Sequence, residues 1–367
     1  MKRQILVLTE KTEGGEWIAI TRLLTAFKET YPSVSYRFVT LTTRKYVRRK
    51  LGFIRDLVNY FKYARLKIKT SVESQKVDTI LVSDYLWALA ALSVKPKNTR
   101  LFFLFHGLRS VVFKKLTDID YKQLLTKFFE RLAWLLSDAI IVPSVEAGNY
   151  VLTNLFFKNK IKLFIVPNIV PKAFFKVTSN TKKKRCYTVM YSGRMDKYKG
   201  LENLIPAFSR VVLDIPKAKL IMACPLSSVN GDEERLVKSL INKHHLETRV
   251  RIIKGLTIKQ LATFYHKASV LVLPSEIEFA PLSVLESLAS GTSVIGTNVG
   301  NVGGLLNKLD SNLILTTNSP EMIYKKLMLF HSYSETKKRI LGAKAITLAG
   351  KFSEKRAVRS FKKVFDS

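Results

Sequence analysis

Cysteine is scarce in this 367-residue chain: Cys186 and Cys224 are the only two. Two thiols cannot build a disulfide framework, and their spacing fits no metal-binding motif. They suit a reducing compartment, where buried free cysteine is common. Long hydrophobic runs are missing as well. The longest uncharged apolar stretch, Leu86 to Val94, is about half of the ~20 residues that cross a bilayer. The start, Met1-Lys2-Arg3-Gln4-Ile5-Leu6-Val7-Leu8, is basic, but its apolar run is too short for a secretory signal. These absences lead to the expectation of a cytoplasmic protein without a transmembrane anchor. Acidic residues are also few, 28 Asp+Glu against 62 Lys+Arg, which leaves a net charge of +34 and a pI near 10.1. Solubility does not need so large an excess. It points to an anionic partner: nucleic acid, an anionic membrane surface or a phosphorylated substrate.

What is present is a globular composition, 47% hydrophobic and 25% charged, which excludes wholesale disorder. At ~150 residues per domain the length allows two domains, or three. Short apolar runs recur, each followed by a turn signal and a helical pattern. They predict strands at Ile5–Thr9, Ser35–Leu41, Thr79–Ser83, Leu101–His106, Ala139–Pro143 and Leu163–Pro167. A second set follows at Thr188–Ser192, Lys219–Cys224, Arg251–Lys254, Val270–Pro274, Ser293–Gly296 and Leu313–Thr316. Most are continuously apolar, as strands buried on both faces of a parallel sheet must be. Helical patterns at Leu201–Val212, Glu233–Lys243 and Ile258–Ala268 lie between them. The expected class is therefore α/β, with two doubly wound parallel-sheet domains facing a cleft. The domains are expected at residues 1–170 and 171–350, with the polar stretch Val177 to Arg185 as linker. Residues 351–367 are expected to form a closing helix that packs back on the first domain.

Ligands in such sheets bind outside the carboxyl ends of strands, and four features stand there. After Val270–Pro274 comes a loop holding Glu278, then a helical pattern holding Glu286, with Pro281 suited to its first turn and Gly291 to its end. A helix amino end attracts phosphate, and a nearby carboxylate can accept bonds from sugar hydroxyls. A solvated Glu278 and a half-exposed Glu286 would give the same spacing. After Thr188–Ser192 comes Gly193-Arg194-Met195-Asp196-Lys197-Tyr198-Lys199-Gly200. Arg194 and Lys199 could clamp a diphosphate, or serve as ordinary surface cations. Gly14-Gly15 follows the first strand, where backbone could approach a ligand or simply turn. His106 ends the fourth strand, where it could donate to a phosphate or sugar hydroxyl, or cap the strand.

In order and surroundings these features resemble the family-4 glycosyltransferases, whose two-Rossmann-domain architecture is called GT-B. The resemblance rests on Gly14-Gly15, on Gly193 to Gly200, on the Glu278/Glu286 pair, on Pro274-Ser275 before it and on Gly291 to Ile295 after it. Asp138 to Ser144 and Val166-Pro167-Asn168 extend it over nearly the whole chain. It implies retaining transfer of a sugar from a nucleotide-diphosphate donor to an acceptor hydroxyl, without a metal or other cofactor. In that reading Arg194 and Lys199 stabilise the departing diphosphate, with Leu282 and Ser283 amides beside it. Glu278 holds donor-sugar hydroxyls and Glu286 the ribose hydroxyls. His106 contacts the donor, and Gly14 and Gly15 line the site. The leaving phosphate takes the acceptor's proton, so no dedicated base is required. The chain departs from the family pattern in four places. Pro281 removes a backbone donor, Gly304 stands where an acidic residue is common, Ala223-Cys224-Pro225 replaces a glycine-rich turn, and Asn168-Ile169-Val170 replaces Gly-Val-Asp.

The positive charge is spread over both halves, +16 on residues 1–170 and +18 on the rest. One concentration stands out: Arg44, Lys45, Arg48, Arg49, Lys50, Arg55, Lys62, Arg65, Lys67 and Lys69, opposed only by Asp56. Phe53, Leu57, Phe61, Ala64 and Ile68 recur among them at helical spacing. Such a helix can pack inward and present cations to an anionic membrane. The partners expected are thus a nucleotide-sugar donor, a lipid-linked or glycan acceptor and an anionic membrane at the inner face of the cell, as in polysaccharide or lipopolysaccharide biosynthesis. A basic nucleic-acid-binding or scaffolding protein on a catalytically lost fold is the alternative from another class, and a nucleotide-sugar epimerase is a closer one. No nucleic-acid motif favours the former. Asp118-Ile119-Asp120 resembles a metal-binding motif of another architecture and is read as surface charge.

Overall fold

The computed structural model describes residues 3–9, 15–40, 53–107, 121–155, 161–175, 186–226 and 231–367. The expected linker from Val177 to Arg185, Gly14, Asp118 to Asp120 and the cations Arg44 to Lys50 lie outside the described residues. Two compact units emerge. The first comprises Met1–Thr12, Glu16–Pro167 and Lys355–Ser367, and the second Glu13–Gly15 and Asn168–Glu354.

In the first unit, β1 (Arg3–Thr9), β2 (Val34–Thr40), β3 (Thr79–Val82), β4 (Arg100–Leu104), β5 (Ala139–Val142) and β6 (Leu163–Ile165) form one sheet in the order β2-β1-β3-β4-β5-β6. In the second, β7 (Thr188–Ser192), β8 (Lys219–Cys224), β9 (Val250–Lys254), β10 (Val270–Leu273), β11 (Ser293–Thr297) and β12 (Ile314–Leu315) follow the order β12-β11-β10-β7-β8-β9. Every strand pairing in both sheets is parallel. All twelve apolar runs are strands, with ends shifted by up to two residues. Helices connect them, as parallel crossovers require.

Both faces of the second sheet are covered. Val189 and Tyr191 of β7 and Val270 and Val272 of β10 enter one core with Leu204, Phe208 and Leu327. Their alternates Met190, Leu271 and Leu273 enter another with Tyr265, Leu285 and Leu288. This period of two explains the unbroken apolar runs, because both phases of each strand face helices. Cys224 is buried at the end of β8, and burial pushes its thiol up to about 12, so it packs as an inert apolar group.

The helix Glu354–Asp366 is amphipathic, and Ala357, Val358, Phe361, Val364 and Phe365 are buried. It packs on the first unit. Phe361 meets Phe27 edge-on at 4.9 Å, Phe365 stacks on Phe27 at 5.5 Å, and Phe365 meets Phe102 at 5.6 Å. Arg3 and Arg100 both donate to the Phe365 carbonyl oxygen, at 3.1 and 2.9 Å, neutralising the end of that helix. Phe361→Ala would leave a cavity among these rings. We expect it to destabilise the first unit by about 3–5 kcal/mol, read as lost hydrogen-exchange protection in β1 and β4 while β7 and β10 keep theirs.

Candidate functional site

The strands β7, β8 and β9 run outward in one direction, and β10 then returns to the other side of β7. The order reverses between β7 and β10, and an open parallel sheet offers its ligand crevice at the carboxyl ends of such a pair. The two loops leaving these strands carry the candidate residues.

The loop after β7 is held tightly. The Tyr191 hydroxyl donates to the Arg194 carbonyl oxygen, and the Lys199 amide donates to the Asp196 carbonyl oxygen at 2.9 Å. Lys197–Lys199 makes one short helical turn, and Gly200 follows at φ 68°. A Cβ there would collide with the Pro274 carbonyl oxygen at the end of β10 and with the Asn318 amide. Only glycine lets this corner sit so close to β10. The Glu276 amide donates to the Tyr198 carbonyl oxygen at 2.9 Å, stitching the two loops together.

That closeness brings Lys199 and Glu278 into contact: Nζ lies 2.6 Å from Oε1, with the side chains 20% and 12% exposed. Glu278 is thus neither solvated nor alone. Behind it, Gly300 adopts φ 51°, and a Cβ there would collide with the carbonyl oxygens of Glu278 and Phe279. The Asn301 amide donates to the Phe279 carbonyl oxygen at 3.0 Å, and the Asn168 side chain donates to the Ala280 carbonyl oxygen at 2.9 Å. Arg194 turns to Asp196, with Nη2 2.8 Å from Oδ2. The sequence alone assigned no role to Asp196, Asn168 or Asn301. Their contacts depend on turns that no spacing rule specifies.

The helix Leu282–Ala289 begins just beyond this loop. Pro281 is its N-cap, one position before the first helical turn where the sequence placed it, and it provides no side-chain cap. The amides of Leu282, Ser283 and Val284 are consequently free of intrahelical carbonyl partners, and both Leu282 and Ser283 are half-buried. Glu286 lies within the helix and is only 4% exposed, so it does not occupy a half-exposed face. The Tyr265 hydroxyl donates to its Oε2 at 3.5 Å. Gly291, at φ 70°, ends the helix as expected.

The remaining two candidates follow strands of the first sheet, whose order reverses between β1 and β3. Gly15 opens the helix Gly15–Thr30 after β1, and it is exposed. His106 lies two residues beyond β4. Desolvation pushes its imidazole down to about 4 from the usual 6.5. Among the described residues, no group of three or more His, Cys, Asp or Glu side chains could hold a metal ion.

Residues 172–344, which contain Arg194, Lys199, Glu278 and Glu286, match the family described as "Glycosyl transferases group 1". Glycogen synthase of Mycobacterium tuberculosis is 26% identical over 173 residues, which are 47% of this chain and 40% of that enzyme. The chain therefore spans well under half the length of that relative. An uncharacterized glycosyltransferase of Methanocaldococcus jannaschii is 22% identical over 342 residues, 92% of this chain and 88% of its own. Among solved structures, sucrose-phosphate synthase from Thermosynechococcus elongatus has a TM-score of 0.83 at 17% identity over 99% of this chain and 98% of that one. Anabaena HepE in complex with UDP and glucose has a TM-score of 0.72 at 14% identity over 100% of both chains.

The lowered pKa of His106 has a linked effect on stability. Folding favours the neutral ring, so its contribution is intact above pH ~6.5 and is lost as the pH falls toward about 4. We expect the His106 ring to titrate near 4 by NMR, and His106→Gln to flatten the fall in stability between these two values. Residues 172–344 thus share that family's sequence pattern, and the likeness to the solved structures shows a two-unit α/β fold.

Proposed function

We propose that this chain is a retaining glycosyltransferase. It moves a sugar from a nucleotide-diphosphate sugar to a hydroxyl of a lipid-linked or glycan acceptor, in cell-surface polysaccharide or lipopolysaccharide assembly. The observation that carries this reading is the Lys199–Glu278 pair at 2.6 Å, set where the strand order reverses and beside an uncapped helix amino end. Cations, free amides and a carboxylate in one place suit a ligand that is anionic at one end and hydroxylated at the other.

In this mechanism Lys199 and Arg194 hold the diphosphate, and the Leu282 and Ser283 amides add the helix dipole. Glu278 accepts bonds from sugar hydroxyls, and its contact with Lys199 fixes the distance from sugar to phosphate. Glu286 takes the ribose hydroxyls. His106, neutral at physiological pH, hydrogen-bonds the donor without adding charge, while Gly14 and Gly15 give backbone access. The anomeric carbon–oxygen bond to phosphate breaks, and the new bond to the acceptor oxygen forms on the same face. The acceptor's proton passes to the leaving phosphate oxygen, so the charge that Lys199 and Arg194 stabilise is largest in the transition state. Glu278→Gln and Arg194→Ala are expected to keep the fold and lose most turnover, roughly a hundredfold or more on the scale of lost electrostatic stabilisation. Wild-type sugar transfer by both variants would remove these roles.

The membrane reading rests on the helix Phe53–Glu73. Tyr60, Ala64, Ile68 and Val72 are buried. The opposite face exposes Arg55, Lys62, Arg65 and Lys69, and among them Val58 at 44% and Leu66 at 68%. Lys67 is drawn inward, donating to the Thr40 carbonyl oxygen at 2.9 Å. Exposed apolar groups between cations suit an anionic leaflet, at ~1 kcal/mol per cation. Among the described residues no helix is long and apolar enough to cross a membrane. Co-sedimentation with anionic liposomes should be salt-sensitive, and Lys62→Glu with Arg65→Glu should weaken it more than tenfold. Absence of binding at low salt would remove this partner.

A further inference from the structure

Arg194, assigned above to the diphosphate, is itself paired with a carboxylate: its Nη2 lies 2.8 Å from Asp196 Oδ2. The two cations differ in what occupies them. Lys199 is paired with Glu278, a carboxylate with its own use toward a sugar. Asp196 has no such use. It precedes the short turn Lys197–Lys199 in extended conformation, at φ −115° and ψ 152°, yet its side chain makes no capping bond to that turn. The side chains of Arg194 and Asp196 are 37% and 20% exposed, so the pair is within reach of an incoming solute. The backbone beneath them is fixed, because the Tyr191 hydroxyl bonds the Arg194 carbonyl oxygen and the Lys199 amide bonds that of Asp196. Only the two side chains need to move.

Resting on the donor-site reading, we propose that Asp196 is a positioning residue that competes with the diphosphate for Arg194. It holds the guanidinium when the site is empty, yields it to the diphosphate of the arriving donor, and reclaims it when the nucleoside diphosphate leaves. Its negative charge stays beside the bound diphosphate and repels it, so Asp196 weakens binding at this site and hastens release of product. A carboxylate that merely aimed Arg194 at the ligand would act in the opposite direction, and the sign of the effect separates the two roles.

The test is calorimetric titration at fixed low salt with inorganic pyrophosphate, UDP and GDP as probes. It uses wild type, Asp196→Asn, Asp196→Glu, Arg194→Ala and the double variant Arg194→Ala/Asp196→Asn. Asp196→Asn should bind pyrophosphate, and whichever nucleotide binds, about five- to tenfold tighter, the scale of one exposed ion pair removed together with one repelling charge. Asp196→Glu should behave like wild type. The double variant should gain clearly less over Arg194→Ala than Asp196→Asn gains over wild type, because without the guanidinium only the repelling charge is left to relieve. Unchanged or weaker binding by Asp196→Asn, or a gain just as large without Arg194, overturns the proposal and leaves the donor site standing. If no probe binds wild type, or Arg194→Ala binds every probe as wild type does, the donor-site reading falls and this proposal with it.

Discussion

Each parallel sheet here is covered by helices on both faces, so a polar side chain along a strand would lose its water and find no partner. The strands answer with unbroken apolar runs, such as Val270–Leu273, all four residues buried. Charge is driven to the strand ends. At the amino ends it meets connecting turns. At the carboxyl ends of β7 and β10, where the sheet order reverses, it meets another loop's charge instead. The proposed chemistry is located where the core stops excluding it.

Close approach of the loops then does what strands cannot. Gly200 and Gly300 are the points where backbone passes backbone without a Cβ between, and between them the segment Pro274 to Phe279 is pinned from both sides. Glu278 is aimed by that pinning as much as by its own bond to Lys199. The cost is a left-handed conformation at both positions, which glycine adopts without strain. Carboxylates balance the cations one for one at this corner, Glu278 against Lys199 and Asp196 against Arg194. A chain carrying +34 overall is nearly neutral where the donor is proposed to bind.

Much of this was legible in the sequence because burial on two faces imposes a simple pattern. Thr188–Ser192 and Lys219–Cys224 are strands with the ends their apolar runs indicate. The helix of Leu282–Ala289 and its end at Gly291 followed from periodicity and one glycine. Less legible was anything set by tertiary approach. Pro281 fits the first turn of a helix or the cap before it equally well, and the loop packing chose the cap. Nothing in the spacing of Arg194 and Asp196 says that they pair, since residues two apart meet only in certain turns. The spacing left open whether Glu286 is half-exposed or part of a site, because burial of a carboxylate depends on partners such as Tyr265 that lie 21 residues away in sequence. Lys67 read as one of a row of membrane-facing cations, but it is turned to the Thr40 carbonyl by a strand it does not neighbour in sequence.

The return of Glu354–Asp366 to the first unit makes that unit's core discontinuous in the chain. A ribosome that has finished Pro167 must still make about 190 residues of the second unit before Phe361 and Phe365 exist, roughly 10–40 s at usual rates of synthesis. Through that interval Phe27 and Phe102 lack the rings of Phe361 and Phe365. The second unit, though made later, is the first to possess nearly all of its own residues, so the ordinary amino-to-carboxyl order of domain folding is inverted. The nascent first unit is accordingly the stage at which a chaperone would have an apolar face to hold.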